Sequence, residues 1–277
     1  MASAARPAPG TPQLLDLGPV VDRIRTGGRA VVALSGGVDS ALVAALAFEA
    51  LGSEARAFTV VGPAVSDAEI ARATGTARAI GLPHELIPAN PLELAEYRAN
   101  PSNRCFFCRT VEGAALRAHG EQAGARQYLD GIHRDDLGDD RPGIRAMEAA
   151  GFWHPLVVAG LGKAEVRRWA RHRGLPYWDA PSDACLASRI THGQPITVDL
   201  LGRVARAEAS LRALGFRQVR VRVQDESARV EVGPDELHRL DATPLARRVE
   251  AAVAAEGFRS VTLDPRGYRG GGGRTPR

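Results

Sequence analysis

Short apolar runs alternate with stretches of helical periodicity along the first third of the chain. Residues 30–34 are wholly apolar and end at a Gly-Gly turn, which is typical of a central strand in a parallel sheet. Ser66 is followed three residues later by Glu69, the capping-box pattern that begins a helix. This alternation predicts an α/β fold, a parallel sheet with helices on both faces. The predicted elements are strands at 30–34, 55–61 and 84–88 and helices at 39–51 and from Ser66 to about Ile80.

The pattern changes near residue 195. A loop at 174–196, rich in Pro, Gly, Ser and Asp, separates the two parts of the chain. We predict an α/β domain over residues 1–195, a small α+β domain over 196–269 and a disordered glycine-rich tail over 270–277. The remaining predicted elements are strands at 126–132 and 152–158 and a helix from Gly162 to about Arg173, then a helix at 197–214, strands near 217–224, 228–233 and 259–263, and a helical stretch at 235–255.

The composition is typical of a soluble globular protein, with 44% hydrophobic and 25% charged residues in a chain of 277. No apolar run approaches the roughly 20 residues that cross a bilayer, and the N-terminus lacks the apolar segment of a secretory signal. We therefore expect a cytoplasmic protein without membrane contact. The net charge of +4 comes from arginine, since Lys163 is the only lysine. This excess fits either a solvated surface or the attraction of anionic partners.

Residues 35–40, Ser-Gly-Gly-Val-Asp-Ser, join the first predicted strand to a helix and carry the first chemical signal. Gly36 and Gly37 let backbone N–H groups approach phosphate oxygens, and the helix adds its positive N-terminal end. Ser35 and Ser40 offer hydroxyls to the same oxygens, whereas the carboxylate of Asp39 is suited to Mg²⁺ beside a pyrophosphate. The spacing matches neither the kinase-type P-loop nor the dinucleotide fingerprint. It predicts a pyrophosphate-binding loop.

This hexapeptide resembles the signature of the PP-loop ATP pyrophosphatases, which include GMP and NAD synthetases and tRNA thiolation enzymes. The resemblance implies the fold of that superfamily and cleavage of ATP between its α and β phosphates. It also implies transfer of AMP to a substrate oxygen, which then leaves readily when nitrogen or sulfur attacks. Thr59 and Val60, near the end of the second predicted strand, match the position where the superfamily binds adenine with its backbone.

Three cysteines carry the second chemical signal. Cys105 and Cys108 form a C-x-x-C pair, and Cys185 follows in a distant loop. Three thiolates can bind three irons of a [4Fe–4S] cluster and leave the fourth iron open to another ligand. The alternatives are a zinc site with His133 or His192 as the fourth ligand, and cysteines that are simply buried.

A closer resemblance, to the LarE family, rests on several separate motifs. They are Asn-Pro-Ser-Asn-Arg-Cys-Phe-Phe-Cys-Arg at 100–109, Asp-Gly at 130–131 with Asp-Asp at 135–136 and Arg-Pro-Gly at 141–143, Pro-Leu at 155–156 with the run 159–167, Trp-Asp-Ala-Pro at 178–181 leading into 184–190, and the run 261–269. Together they extend over about residues 14–269.

The resemblance implies a pyridinium-3,5-bisthiocarboxylic acid mononucleotide synthase. Such enzymes adenylate the carboxylates of pyridinium-3,5-dicarboxylic acid mononucleotide and replace an oxygen by sulfur, for the nickel-pincer cofactor of lactate racemase and related enzymes. One branch of the family sacrifices a cysteine, and the other holds a [4Fe–4S] cluster and transfers a sulfide bound to it. Cys105, Cys108 and Cys185 match the cluster branch. ATP and Mg²⁺, a small-molecule mononucleotide and a homo-oligomer are implied as well, while the sulfide donor is not.

Several charged residues are candidates for the same site. Arg189, four residues after Cys185, can stabilise thiolate and acyl-phosphate charge, so we expect Cys185, Arg189 and Asp39 to be catalytic. Arg220 and Arg222 alternate on a strand, where they either bind a substrate phosphate or form a solvated face. Glu208 is either a cleft carboxylate or, preferably, a helix-surface residue. Lys163 and the acidic loop of Asp135, Asp136, Asp139 and Asp140 are left open between ligand contact and solvent exposure.

Two other functions remain open from the sequence. One is a tRNA thiolation enzyme, which would need a basic surface interleaved with aromatic residues. The chain has only 7 Phe, 4 Tyr and 3 Trp, few of them in the C-terminal part, so nucleic acid is not the expected partner. The other is a zinc-stabilised sensor that binds ATP without turnover.

Overall fold

Five parallel strands form the main sheet of the computed structural model, which describes residues 14–138, 142–181 and 183–269. The spatial order β3-β2-β1-β4-β5 places the first strand of the chain at the centre. Every neighbouring pair is parallel. The strands are β1 (Ala30–Ala33), β2 (Ala55–Val61), β3 (His84–Pro88), β4 (Gln127–Leu129) and β5 (Phe152–Trp153).

Helices cover both faces of this sheet, because alternate residues of its strands enter different hydrophobic clusters. In β1, Ala30 and Val32 pack with Leu42 and other residues on one side, whereas Val31 packs with Leu116 on the other. The helices of this part are α1 (Gly18–Gly27), α2 (Val38–Leu51), α3 (Asp67–Ile80), α4 (Ala95–Arg98), α5 (Arg104–Gln122), α6 (Pro142–Ala149), α7 (Pro155–Val158) and α8 (Lys163–His172). The predicted α/β fold is confirmed.

Helix α3 begins where the sequence predicts. Ser66 Oγ accepts a hydrogen bond from Glu69 N at 3.3 Å, and Glu69 Oε2 accepts one from Ser66 N at 2.9 Å, so the capping box is formed. The helix ends at Gly81, whose φ of 83° lies in the left-handed region that glycine adopts without strain. The first turn of α3 packs against the phosphate loop, residues 35–40, because a Cβ on Gly36 would lie 2.5 Å from Glu69 O.

A second, smaller sheet lies in the C-terminal part of the chain. Strands β6 (Val219–Gln224) and β7 (Ser227–Val232) are antiparallel, and β8 (Ser260–Leu263) pairs with β7 in parallel. Helices α9 (Val198–Ala213) and α10 (Thr243–Ala254) pack in the same hydrophobic core. That core also contains Tyr97, Leu186 and Ile190 from before residue 195. The division at 195 stays a prediction, and the core extends across it.

Two predicted elements differ from the structure, and one long helix was not predicted. The strand expected at 152–158 ends at Trp153, because Pro155 has no N–H to donate and begins α7 instead. The stretch at 235–255 divides into a 3₁₀ helix, Pro234–Leu240, and α10. Helix α5, with 19 residues, was not predicted, although it carries the C-x-x-C motif in its first turns.

The remaining expectations concern membrane contact, the C-terminal tail and localisation. No helix in the described part of the chain is long and apolar enough to span a membrane. The predicted disordered tail, 270–277, lies outside the described residues, and cytoplasmic localisation stays a prediction.

Candidate active site

The phosphate loop is held in shape by Ser40, which is buried. Ser40 Oγ accepts a hydrogen bond from Ser35 N at 3.1 Å and donates one to Gly37 O at 3.1 Å. Gly36 has a φ of 78°, and a Cβ there would lie 2.5 Å from Glu69 O of α3. Gly37 precedes the first residue of α2, Val38, and is exposed. The loop therefore presents backbone N–H groups and a helix N-terminus to solvent, as a phosphate site requires.

The carboxylate of Asp39 lies beside this loop, between a lysine and a histidine. Lys163 Nζ donates to Asp39 Oδ2 at 2.6 Å, and His133 Nε2 lies 3.8 Å from Asp39 Oδ1. Asp39 Oδ1 is buried and has no hydrogen-bond partner among the described residues. An unpartnered carboxylate oxygen at a phosphate loop fits a Mg²⁺ ligand. His133 therefore lies at the phosphate loop.

Two of the four aspartates of the predicted acidic loop position Lys163 and His133 near Asp39. Asp135 Oδ2 accepts a hydrogen bond from Lys163 N at 2.8 Å, and this bond, with Arg134, holds the pKa of Asp135 below its usual value. Asp136 Oδ2 accepts one from His133 N at 3.1 Å. The two carboxylates thus position the start of α8 and the imidazole. Asp139 and Asp140, the other members of the acidic loop, lie outside the described residues.

The end of β2 reaches past its neighbour toward the phosphate loop. The pairing of β1 with β2 ends at Ala33 opposite Phe58, so Thr59 and Val60 extend beyond β1. The Thr59 hydroxyl is buried, donates to Leu34 O at 2.6 Å and lies 2.7 Å from His84 Nε2. The side chain of Thr59 is therefore engaged inside the protein. Adenine binding by Thr59 and Val60 stays a prediction.

The three cysteines come together from two separate segments. Cys105 and Cys108 lie in the first turns of α5, and Cys185 lies directly before the 3₁₀ turn Leu186–Arg189. All three are free thiols, with Cys105 exposed and the other two half-buried. Burial and, next, the charge of Cys105 raise the pKa of the Cys185 thiol. Burial, Glu112 and Cys185 raise that of Cys108, whose Sγ donates to Glu112 Oε1 at 3.2 Å.

The three cysteines do not form a preformed metal-binding site. Across residues 14–138, 142–181 and 183–269, no three His, Cys, Asp or Glu side chains are arranged as a metal-binding set. A buried phenol belongs to the core against which Cys108 and Cys185 pack: Tyr97, in α4, is 1% exposed, and its Oη has no hydrogen-bond partner in the described part of the chain. Burial, then Cys185 and Cys108, raise the pKa of Tyr97, so the phenol keeps its proton.

Three thiols could bind a metal group, and the Tyr97 hydroxyl, unpartnered among the described residues, could donate a hydrogen bond to a sulfur of that group. Arg104 is buried and donates to Asn100 Oδ1 at 2.7 Å. Its positive charge offsets part of the rise in the pKa of Cys185 and of Tyr97. Iron–sulfur clusters are bound by cysteine thiolates, and protein groups commonly donate hydrogen bonds to the cluster sulfurs. The residues present are therefore compatible with the predicted [4Fe–4S] cluster.

Arg189 lies inside the protein, 1% exposed, and holds the cysteine loop, residues 183–189. Its guanidinium forms two hydrogen bonds with Glu208, at 2.8 and 3.0 Å, and one with Asp183 at 3.0 Å. It also donates to the carbonyl oxygens of Ala184 and, at 3.1 Å, Cys185. Arg189 therefore contacts the Cys185 backbone, and its charge is already matched by two carboxylates.

Glu208 corrects the sequence interpretation. The preferred expectation of a helix-surface residue is wrong, because Glu208 is completely buried in α9. Besides Arg189, it accepts hydrogen bonds from Val221 N at 3.1 Å and Arg212 Nη2 at 3.0 Å. A buried carboxylate with this many donors is satisfied as an ion. It joins α9, β6 and the cysteine loop.

Asp183 and several arginines line a small cavity of about 40 Å³. Arg72 Nη2 lies 3.1 Å from Asp183 Oδ2 and Arg220 Nη2 lies 3.2 Å from Oδ1. Burial alone would raise the pKa of Asp183, but Arg220 and Arg189 lower it, so the carboxylate stays ionised. The cavity is lined by four arginines and one carboxylate, with smaller and neutral residues between them: Arg72, Ala180, Pro181, Asp183, Arg212, Arg217, Gln218 and Arg220.

Arg222 does not line this cavity. Its Nε donates to Glu231 Oε2 at 3.1 Å and its Nη1 to Ser188 O at 3.0 Å. The two strand arginines named from the sequence thus have different surroundings, Arg220 at the cavity and Arg222 in an internal ion pair. Sequence reasoning missed Asp183 and Tyr97. The only available signal was that Asp183 precedes Cys185 by two residues.

A parallel α/β sheet whose central strand leads into a Ser-Gly-Gly-Val-Asp-Ser loop and a helix N-terminus defines a PP-loop ATP pyrophosphatase. The family model described as asparagine synthase matches residues 18–103, the part that contains this loop. A pyridinium-3,5-bisthiocarboxylic acid mononucleotide synthase of Lactiplantibacillus plantarum is 32% identical over 244 residues, covering 88% of each chain. The chain therefore belongs to the LarE family of ATP-using enzymes.

Two further relatives have no assigned activity in their names. An uncharacterised protein of Synechocystis is 41% identical over 243 residues, 88% of this chain and 91% of its own length. An uncharacterised protein of Methanocaldococcus jannaschii is 26% identical over 205 residues, 74% of this chain and 78% of its own. The similarity extends beyond the phosphate loop into the C-terminal part of the chain.

Proposed function

We propose that the protein is an ATP-dependent sulfurtransferase that acts on pyridinium-3,5-dicarboxylic acid mononucleotide, for synthesis of a nickel-pincer cofactor such as that of lactate racemase. The proposal is supported by the name of the Lactiplantibacillus relative and by the family membership. A substrate carboxylate attacks the α phosphate of ATP, and pyrophosphate leaves. A sulfide then displaces AMP from the acyl-adenylate, which leaves a thiocarboxylate.

The observation that carries this proposal is the link between the phosphate loop and the cysteine loop. The Cβ of Arg72 lies against the phosphate loop, since a Cβ on Gly36 would lie 3.3 Å from it. Its guanidinium pairs with Asp183, two residues before Cys185. Leu186 N also donates to Ala64 O, in the connection between β2 and α3, at 2.9 Å. Adenylation and sulfur transfer must occur at one carboxylate, so these two loops have to be neighbours.

The residues of the phosphate loop bind ATP in this proposal. Ser35, Gly36, Gly37 and Ser40 hold the pyrophosphate, with Asp39 as the Mg²⁺ ligand. The Lys163 ammonium, close to Asp39, neutralises charge that develops on the leaving pyrophosphate. Adenine lies against the backbone of Thr59 and Val60 at the carboxyl edge of the sheet.

The arginine-lined cavity is proposed to bind the phosphate of the mononucleotide. Four arginines line the cavity and outnumber the three carboxylates that pair with them, Asp183, Glu208 and Asp179. The remaining positive charge favours a dianion. Arg220 is then a direct ligand together with Arg212 and Arg217. Arg222 acts through the ion pair with Glu231 that supports strand β6.

Cys105, Cys108 and Cys185 would hold a [4Fe–4S] cluster. When bound, it supplies the sulfide that the reaction consumes. Arg189 contacts no open surface, because it is buried against Asp183 and Glu208. We assign it the positioning of Cys185, whose carbonyl oxygen accepts a hydrogen bond from it. The physiological sulfide donor and a homo-oligomeric state stay predictions of the family resemblance.

The test is pyrophosphate release from Mg-ATP by anaerobically reconstituted protein, with the mononucleotide in one reaction and bulk tRNA in another. The proposal predicts release only with the mononucleotide, together with formation of a thiocarboxylate detectable by mass spectrometry. Cys185→Ala should keep pyrophosphate release and lose sulfur transfer. Asp39→Asn should lose both.

Other outcomes contradict the proposal in different ways. Release with tRNA alone would transfer the assignment to a tRNA thiolation enzyme. ATP binding without release for either substrate would favour the ATP sensor. Full sulfur transfer by Cys185→Ala would exclude the three-cysteine mechanism while leaving adenylation intact.

A further inference from the structure

Tyr97 is a buried donor without an acceptor among the residues that the structure describes. Its side chain is 1% exposed in the second hydrophobic core, and its Oη forms no hydrogen bond with the described residues. Leaving such a hydroxyl unpaired away from water is unfavourable, and phenylalanine would fill the same volume without that cost. A tyrosine at this position therefore calls for an acceptor that is not part of the folded chain.

The surroundings of Tyr97 indicate the chemical nature of that acceptor. Cys108 and Cys185 pack against the hydrophobic core that contains Tyr97. Burial and then the charges of Cys185 and Cys108 raise the pKa of the phenol. Glu112 Oε1 already accepts the Cys108 thiol, and Arg104 donates to Asn100. The acceptor that the neighbours of Tyr97 in this core can offer is therefore sulfur, from a thiolate or from a sulfide held by the thiolates.

We propose that Tyr97 Oη donates a hydrogen bond to a sulfur of the group that Cys105, Cys108 and Cys185 hold. This inference rests on the three-cysteine site of the proposed function and deepens it. Tyr97 is a positioning residue: it stabilises electron density on sulfur and fixes the orientation of the bound group. Partners of this kind tune metal retention and, in iron–sulfur proteins, the reduction potential.

The test compares Tyr97→Phe with wild-type protein in the metal-free and in the iron- and sulfide-reconstituted forms. In metal-free protein the substitution removes only an unpartnered hydroxyl, so the midpoint of thermal unfolding should stay at or above that of the wild type. In reconstituted protein, iron should be lost to a chelator about tenfold faster. The reduction potential should become more negative, because a hydrogen bond to sulfur favours the reduced cluster.

Tyr128→Phe is the matched control. Tyr128 is also buried, but its Oη donates to Arg117 O at 3.2 Å, on the far end of α5 from the cysteines. This variant should lower the unfolding midpoint in both forms and leave iron retention and potential at wild-type values. The opposite signs for the two tyrosines distinguish a hydrogen bond to the bound group from a general effect on stability.

The inference is overturned if Tyr97→Phe retains iron as long as the wild type and has the same potential. It also falls if wild-type protein holds no iron after reconstitution, together with the cluster part of the proposed function. In that case pyrophosphate release with the mononucleotide tests the adenylation part separately. If the thiols hold zinc instead, the same chelator assay on zinc-loaded protein should show faster loss from Tyr97→Phe, and equal rates would exclude the hydrogen bond.

Discussion

Lys163 Nζ lies 2.6 Å from Asp39 Oδ2 and joins the first turn of α8 to the first turn of α2. The ion pair places the only lysine of the chain beside the phosphate loop. It also leaves Asp39 Oδ1 without a hydrogen-bond partner within the described residues, although His133 is near. One carboxylate oxygen of Asp39 therefore pairs with a cation of the protein, and in the proposed function the other oxygen binds Mg²⁺.

Lys163→Gln should reduce the rate of pyrophosphate release about 100-fold, because a preorganised positive charge at the phosphates is lost. The measurement is kcat for pyrophosphate release with saturating Mg-ATP and mononucleotide. Arg168 lies on the same helix and pairs with Glu165 at 3.0 Å, so Arg168→Gln is the control and should retain the wild-type rate. Unchanged kcat in Lys163→Gln would show that the lysine only balances Asp39 in the ligand-free protein.

Gly36→Ala should destabilise the fold by about 1–3 kcal/mol and abolish ATP binding. The φ of 78° disfavours alanine, and its Cβ would lie 2.5 Å from Glu69 O. Gly37→Ala is the comparison for stability: Gly37 has a φ of −87°, and its Cβ would meet nothing closer than Ser35 Oγ at 3.5 Å. Thermal unfolding of both variants measures the difference. Equal midpoints would contradict the close approach of α3 to the loop.

Glu208→Gln should destabilise the protein by about 3 kcal/mol, because Arg189 would lose its main counter-charge while fully buried. Urea unfolding at neutral pH measures this change. Glu256→Gln, which removes the partner of the largely exposed Arg206, should cost no more than about 1 kcal/mol. The double variant Arg189→Met with Glu208→Leu should recover part of the lost stability, since no buried charge remains between them.

The buried pair of His154 and Asp130 should make stability depend on pH. His154 Nδ1 lies 2.7 Å from Asp130 Oδ1. Burial by itself would lower the pKa of His154, but the hydrogen bond and charge of Asp130, with Glu148, raise it above its ordinary value of 6.5. A raised pKa means that the protonated imidazole stabilises the fold. This contribution is complete below pH 6.5 and is lost as pH rises through the folded-state value.

His154→Gln should therefore destabilise the protein most below pH 6.5, and the difference from wild type should shrink at higher pH. The measurement is the free energy of unfolding in urea over a pH series from 5.5 to 9, chosen to bracket the ordinary histidine pKa of about 6.5. Asp130→Asn should flatten the same dependence. A difference between His154→Gln and wild type that is constant with pH would mean that the imidazole is neutral in the fold.

Much of the fold could be predicted because its signals are local. An apolar run before two glycines and a helical run after them indicate a central strand and a phosphate loop within about 20 residues. The capping box at Ser66 and Glu69 is formed as predicted, since both partners lie within one turn. Predictions failed where a single residue changed the backbone, as Pro155 did by ending β5, and where no local signal existed, as for helix α5.

The sequence by itself predicted the chemistry of the chain: a loop for pyrophosphate, a carboxylate suited to Mg²⁺ and three thiols suited to a cluster. These predictions depend on residue type and on spacing along the chain, and the family membership supports the use of ATP. Only the tertiary structure decided which charges meet. Glu208 lies 19 residues from Arg189 and Asp183 lies 111 from Arg72, so these ion pairs exist only through the packing of separate elements. Burial, which no spacing reveals, made Arg189 an internal support and left the Tyr97 hydroxyl without a hydrogen-bond partner among the described residues.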